Sequence, residues 1–177
     1  MGKTTALVVI DMQRQFPAAQ SRPLQARIKN AVAHARANGW SIINVRYLMD
    51  WEDERLVASL RPLLEQDDVQ QVHKCDDDGS DDIAAMFKQL PHDPDIDGDG
   101  VPDRFILAGV NASCCVAETA SGLADIYPEA EVIISEAVAD CSARVDYHTR
   151  VGCNKWAAQY TYNDYGTNKV KAQRIFQ

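Results

Sequence analysis

Strand-like and helix-like patterns alternate along the whole chain. Short runs rich in apolar and β-branched residues predict strands at residues 5–12, 41–48, 69–74, 104–110 and 131–138. Segments whose apolar positions recur at helical intervals predict helices at residues 24–39, 53–66, 81–90, 115–126 and 146–159. Because strands that alternate with helices pair in parallel, the pattern predicts an α/β fold, with three αβα layers around a doubly wound, mainly parallel sheet.

Several predicted elements carry their own boundary signals. The first run, "TALVVIDM", is continuous rather than alternating, which is typical of a strand covered on both faces. The first predicted helix ends at Asn38 and Gly39, residue types that favour a helix C-terminus. Pro62 predicts a break or kink within the second predicted helix.

Composition and charge narrow the class of protein. The chain has 177 residues, of which 46% are hydrophobic and 25% charged, so we expect one soluble domain over residues 1–177. No run approaches the ~18 apolar residues of a membrane span, and the N-terminus lacks a signal-peptide pattern. We therefore expect a cytoplasmic protein without a membrane partner. A net charge of -8 without a basic stripe argues against a nucleic-acid partner.

Five cysteines are candidate nucleophiles or metal ligands. They are Cys75, Cys114, Cys115, Cys141 and Cys153. An odd count without a signal peptide is typical of reduced thiols. No C-x-x-C pair occurs, which argues against a structural zinc site. Cys114 taken alone is interpreted as a packing residue.

Residues able to do chemistry follow the predicted strands at their carboxyl ends, where the sites of parallel sheets gather. Asp11 follows the first strand, Asp50 the second, Lys74 ends the third, and Cys115 opens the helix after the fourth. A carboxylate beside a thiol can take its proton, and a nearby ammonium stabilises both anions. The helix dipole at Cys115 adds to this effect. We therefore expect a nucleophilic site built from Asp11, Lys74 and one of the two adjacent cysteines, Cys115 at the start of the helix or Cys114 one residue before it.

Three motifs in this order resemble the isochorismatase-like cysteine hydrolases, the superfamily that includes nicotinamidase and N-carbamoylsarcosine amidase. The matching stretches are "ALVVIDMQRQF" (6–16), "VHK" (72–74) and "GVNASCCVAETA" (109–120). The similarity covers roughly residues 5 to 140. The resemblance implies that Asp11, Lys74 and Cys115 form a catalytic triad.

By resemblance, the chain forms a homo-oligomer and hydrolyses a C–N bond of a small amide or carbamoyl compound without a cofactor. Asp11 would take the thiol proton, Cys115 would attack the carbonyl carbon to give a thioester, and Lys74 would orient Asp11 and favour the thiolate. Water activated by Asp11 would then cleave the thioester. The resemblance also implies a cis peptide bond between Val110 and Asn111. That bond would aim the Asn111 N–H, with that of Cys115, at an oxyanion.

Three further residues are candidates for the substrate pocket. Gln13 and Phe16 belong to the first motif, and Trp51 follows the second strand. Their positions place them near the same edge of the sheet as the triad. Phe16 is equally compatible with the core.

The metal motif of nicotinamidases is incomplete in this chain. By resemblance, those enzymes bind a metal through Asp-x-His and a later His after the second strand. This chain has Asp50, then Glu52 in place of the first His and Leu56 in place of the second. Two carboxylates form a weak site for a transition metal, so we predict no metal in the active site. A nicotinamidase-like, metal-assisted amidase is one alternative, and an inactive family member that serves as a binding or assembly protein is another.

An acidic segment, "DIDGDGVPD" at 95–103, resembles the calcium loops of thrombospondin type 3 and EF-hand-like repeats. Its candidate ligands are Asp95, Asp97, Asp99 and Asp103, with Gly100 at the turn. Ile106 stands where the bidentate acid of such a loop is expected. We therefore favour a solvated acidic turn over a calcium site.

Overall fold

The structure is a computed structural model that describes residues 3–48, 55–89, 100–139 and 170–176. These residues contain the strands β1 (Thr5–Ile10), β2 (Ser41–Tyr47), β3 (Val69–Lys74), β4 (Arg104–Gly109), β5 (Glu131–Val138) and β6 (Val170–Gln173). After a 3-10 turn at Pro17–Gln20, the helices are α1 (Arg22–Ala37), α2 (Arg61–Leu64), α3 (Ser80–Gln89) and α4 (Cys115–Ile126). All neighbouring strands pair in parallel in the order β3-β2-β1-β4-β5-β6, which confirms the predicted α/β fold. None of the described helices is long and apolar enough to cross a membrane.

Strand β1 lies in the middle of the sheet and is buried on both faces. Leu7 and Val9 join the apolar core beneath α1, whereas Ala6, Val8 and Ile10 join the core beneath α3 and α4. Successive side chains of a strand point to opposite faces, so a continuous apolar run contributes to two cores at once. This is why the helices lie in two layers, with α1 on one face of the sheet and α3 and α4 on the other.

Helix α1 begins at Arg22, slightly before its predicted start. The Oγ of Ser21 accepts a hydrogen bond from Leu24 N at 3.4 Å, and Pro23 lies in the first turn. Both features favour a helix start at this point. The buried face of the helix consists of Leu24, Ile28, Ala31, Val32 and Ala35, the positions that the spacing predicted.

The prediction of a long second helix is wrong for most of its described length. The helix is confined to the short α2, and Pro62 lies in its first turn, where it starts the helix instead of kinking it. Leu56 forms a backbone bridge to Gln13, and Val57 N donates to Met12 O at 3.0 Å. Because these backbone groups bond to the segment after β1, they are not available for a helix.

The C-terminal strand β6 was not predicted from sequence. Its four residues, "VKAQ", lack an apolar run, and the strand forms by pairing with the edge of β5. Beyond it, the Glu136 carboxylate accepts hydrogen bonds from Ile175 N at 2.8 Å and Phe176 N at 2.6 Å. The helix predicted at 146–159 lies outside the described residues.

A close approach of β1 and β4 positions the residues that follow them. Gly109, the last residue of β4, has a φ of 118°, and a Cβ built there would lie 2.0 Å from Ile10 O. Only glycine fits at this position. Asp11, directly after β1, turns out of the strand with a φ of 53°.

Candidate active site

Three side chains that the sequence placed at one edge of the sheet meet there in the structure. Asp11 follows β1, Lys74 ends β3, and Cys115 begins α4 after the loop that follows β4. Lys74 Nζ lies 3.1 Å from Asp11 Oδ2, and both side chains are 0% exposed. Because β2 separates β3 from β1, the contact requires a side chain as long as lysine.

The Asp11 carboxyl is buried in an uncommon backbone conformation. Its positive φ lies in the left-handed region, which aspartate tolerates better than most residues. Its N–H donates to Val45 O at 2.9 Å, and its C=O accepts from Gln13 N at 2.7 Å. Among the described residues no aligned hydrogen bond reaches either carboxyl oxygen, so the contact with Lys74 is an ion pair. Burial raises the pKa of Asp11 above its ordinary value, and Lys74 and Cys115 oppose this only in part.

The loop after β3 encloses the Lys74 ammonium. Nζ donates to Asp76 O at 2.8 Å and to Asp77 O at 3.1 Å. It also lies 4.6 Å from the centre of the Tyr47 ring. A Cβ at Gly79 would lie 3.0 Å from Lys74 Cδ, so a larger residue there would press on the lysine. The carbonyl oxygens and the ring face supply the partners that a buried charge requires.

The Cys115 thiol faces two carboxylates. The residue is 2% exposed, and its sulfur lies 3.5 Å from Asp77 Oδ1. Burial raises the pKa of the Cys115 thiol, and the charge of Asp11 raises it further. Lys74 favours the thiolate, as predicted, and so does the backbone N–H of Asn111, but their effects are smaller. Burial and the charge of Asp11 therefore favour the thiol form of Cys115, the form from which the predicted mechanism starts.

Asp77 and Cys114 lie beside the nucleophile, and the sequence did not predict this arrangement. Cys114 Sγ donates to Asp77 Oδ2 at 3.0 Å. The pKa of Cys114 is raised to about 11. Burial is the largest cause, and this hydrogen bond is the second largest. The half-buried Cys114 also packs against the apolar core, as predicted. Asp77 belongs to the acidic run 75–82, in which no sequence signal distinguishes one aspartate from its neighbours.

The three candidate pocket residues have different surroundings. Gln13 is fully buried, and its side-chain amide donates to Tyr47 O at 2.9 Å and accepts from Tyr47 N at 2.7 Å. This side chain therefore joins the end of β2 to the segment after β1. Phe16 is half-buried and packs edge-on against the Tyr47 ring, with 6.4 Å between ring centres. Trp51 lies outside the described residues.

The loop before α4 presents Asn111 to the nucleophile. The peptide bond between Val110 and Asn111 is cis. Asn111 O accepts hydrogen bonds from Cys114 N at 3.1 Å and Val116 N at 3.0 Å, which tie the loop to the first turn of α4. Hydrogen bonding by the Asn111 backbone lowers the pKa of the Cys115 thiol and so opposes in part the effect of burial.

Comparison with known proteins assigns the family. The model of the isochorismatase domain matches residues 5–151, well over half of the chain. The chain belongs to this family. The resemblance drawn from the three motifs is thereby confirmed. No curated protein sequence matches the chain.

Solved structures of the isochorismatase fold resemble the chain over nearly its whole length. Nicotinamidase from Staphylococcus aureus has a TM-score of 0.67 at 16% identity, covering 96% of this chain and 99% of that chain. N-carbamoylsarcosine amidase from Thermoplasma acidophilum has a TM-score of 0.62 at 20% identity, covering 97% and 96%. Pyrazinamidase of Pyrococcus horikoshii, solved in complex with zinc, has a TM-score of 0.63 at 17% identity, covering 97% and 99%. At these identities the likeness concerns the fold.

The nicotinamidase metal motif has no ligand at its last position in this family member. Leu56 stands where the later histidine would fall, and it is 0% exposed in the apolar core. Its side chain has no atom that can bind a metal. Asp50 and Glu52, which stand at the start of the motif, lie outside the described residues.

The segment predicted as a possible calcium loop is described only at its end. Asp95, Asp97 and Asp99 lie outside the described residues. Asp103 Oδ2 accepts hydrogen bonds from Thr4 N at 2.7 Å and Thr4 Oγ1 at 2.8 Å, and these bonds lower the pKa of Asp103. This carboxylate therefore joins the start of β4 to the residue before β1.

Proposed function

We propose that the chain is a cysteine hydrolase that cleaves a C–N bond of a small amide or carbamoyl substrate through a thioester on Cys115. The observation that carries the proposal is the buried ion pair of Lys74 and Asp11, beside which the Cys115 thiol lies. A nucleophile, a base and a cation that compensates the base are the parts that acyl transfer needs. Membership of the isochorismatase family adds support.

In the proposed first step, Asp11 removes the proton of the Cys115 thiol. The raised pKa of Asp11 makes its carboxylate a stronger base than an exposed aspartate. The transfer moves negative charge from oxygen to sulfur, and Lys74 lies close enough to act on both groups. The ammonium therefore stabilises the negative charge before and after the transfer.

The thiolate then attacks the carbonyl carbon of the substrate. The backbone N–H groups of Asn111 and Cys115 are the proposed donors to the oxyanion, a role worth ~3 kcal/mol per donor. Protonated Asp11 gives its proton to the departing nitrogen, so the C–N bond breaks and the thioester remains. Asp11 next takes a proton from water as the oxygen attacks the thioester. It returns that proton to the departing sulfur.

An ammonia-release screen across small amides and carbamoyl compounds tests the proposal. We expect release by the wild type and by Cys75→Ala, a matched control whose cysteine is exposed and free. We expect release to be lost in Cys115→Ala. After an acid quench, mass spectrometry should find the substrate's acyl group on the peptide that contains Cys115. Ammonia release that persists in Cys115→Ala would refute the mechanism.

The same screen separates the two alternatives. Release that disappears on treatment with a chelator and returns with added zinc or iron would favour a nicotinamidase-like, metal-assisted amidase. A folded wild type that releases no ammonia and acquires no adduct from any compound would favour an inactive binding or assembly protein.

A further inference from the structure

A cluster of three metal-ligating groups lies beside the nucleophile. Asp77, Cys114 and Cys115 each offer one ligand atom, and these atoms lie within 4.8 Å of one another. The Asp77 oxygens are 3.0 Å from Cys114 Sγ and 3.5 Å from Cys115 Sγ. In a tetrahedral zinc centre, with Zn–S of ~2.3 Å and Zn–O of ~2.0–2.2 Å, ligand atoms lie roughly 3.5–3.8 Å apart. The three groups therefore need only small shifts to share one ion.

We propose that this cluster binds a thiophilic divalent cation such as zinc, and that the bound ion blocks Cys115. Two thiolates and one carboxylate form a donor set that suits zinc or cadmium, whereas calcium and magnesium require oxygen ligands. Three protein ligands leave a fourth position for water. The proposed hydrolytic mechanism uses neither Cys114 nor the Asp77 carboxylate, so the two sites share only Cys115.

The charges around the cluster favour a cation. Three consecutive aspartates at 76–78 form the loop beside it, and Asp11 lies behind Cys115. Lys74 opposes these charges in part. The ion replaces one proton on each thiol, so each binding event releases two protons to solvent. Because the ion displaces these protons, binding should tighten as the pH rises.

This cluster is separate from the nicotinamidase metal motif, which follows β2 and carries Leu56 at its last position. Its ligands come instead from the loop after β3 and from the start of α4. Metal binding at the cluster does not depend on the proposed hydrolase activity. The inhibition that follows from occupying the Cys115 sulfur does rest on that activity.

Cadmium titration of the native protein tests the binding, because thiolate-to-cadmium charge transfer absorbs in the near ultraviolet. We expect one Cd²⁺ per chain, displaced by Zn²⁺, with the absorption lost in Cys114→Ala and Cys115→Ala. Cys75→Ala should keep it, since that exposed cysteine lies outside the cluster. Asp77→Asn should weaken binding by at least ~10-fold. Circular dichroism of each variant verifies folding.

Two results would overturn the metal site. One is a wild type without charge-transfer absorption, and the other is an absorption unchanged in folded Cys114→Ala.

Inhibition by zinc tests the effect of the bound ion on an active preparation. The zinc concentration that halves the activity should be at least ~10-fold higher for Cys114→Ala than for the wild type, when the rate of each protein is expressed relative to its own rate without zinc. If cadmium binding requires Cys114 but the protein shows no hydrolytic activity, the hydrolase proposal is refuted and the metal site stands. If the protein hydrolyses a substrate but cadmium binding does not depend on Cys114, the metal site is refuted and the hydrolase proposal stands.

Discussion

Replacing Lys74 by methionine isolates the ion pair on which the candidate site is built. Methionine keeps an unbranched apolar side chain but removes the ammonium 3.1 Å from Asp11 Oδ2. Two unit charges at that separation attract by about 5 kcal/mol at an effective dielectric constant of ~20. Removal of one partner of a buried pair costs about 3–5 kcal/mol. We expect Lys74→Met to lose about that much free energy of unfolding at pH 8.

The pH dependence of this loss has a definite sign. Burial raises the pKa of Asp11, and Lys74 is the largest effect that opposes it, so the substitution raises that pKa further. Between the pKa of ~3.9 that Asp11 has in the unfolded chain and its higher pKa in the folded protein, the folded state binds more protons than the unfolded state. Stability therefore falls as the pH rises through this window. Below the pKa that Asp11 has in each folded protein, its carboxyl is protonated in both the wild type and the variant. The variant then loses less stability than at high pH, by about 1.4 kcal/mol for each unit by which the substitution has raised that pKa.

Urea unfolding of both proteins from pH 5 to pH 8 measures the deficit. The substitution also removes the hydrogen bonds from Nζ to Asp76 O and Asp77 O, but their loss does not depend on pH in this way. The dependence on pH therefore reports the ion pair itself. A deficit that does not shrink as the pH falls through the range in which Asp11 titrates in the folded proteins would show that the charge of Lys74 does not act on Asp11, which would refute the reasoning.

Lys171→Met provides the matched control. Lys171 Nζ also lies close to a carboxylate, 2.8 Å from Glu131 Oε1, but its side chain is 59% exposed. Solvent screening limits such a pair to about 0–1 kcal/mol. The ion pairs of Glu131 lower its pKa to about 2, below the tested range, so the deficit of this variant should not change with pH.

Three further substitutions test other contacts. Asp11→Asn removes the proposed base for the Cys115 proton, so ammonia release should fall by ~100- to 10,000-fold, and release at the wild-type rate would contradict the assignment. Gly109→Ala places a Cβ 2.0 Å from Ile10 O; thermal unfolding should show a loss of about 3 kcal/mol or more, and an unchanged Tm would contradict the clash. Glu136→Ala leaves two C-terminal amides without their acceptor; we expect a loss of about 1–3 kcal/mol and faster hydrogen exchange at those amides, and unchanged exchange would argue against the tether.

Local sequence patterns determined the layers of the fold and the location of the site. The continuous run in β1 predicted a strand buried on both faces, because a side-chain period of two gives apolar contacts to both cores. The spacing from Leu24 to Ala35 predicted the buried face of α1. Since parallel strands end at one edge, the order of elements was enough to place Asp11, Lys74 and Cys115 together.

The sequence could not determine features that depend on contacts between distant segments. The stretch before α2 has a helical pattern, but its backbone bonds to the segment after β1, and that pairing overrides local propensity. Strand β6 forms against β5 without an apolar run of its own.

The protonation state of the nucleophile was likewise decided by the tertiary structure. Asp77 became a neighbour of both thiols through the path of its loop, which its local sequence does not reveal. Burial and the charge of Asp11 outweigh Lys74 at Cys115, so the resting sulfur carries a proton. Residue types alone do not determine this balance, because the free energy of a charge depends on how completely folding removes it from water and on which charges remain beside it.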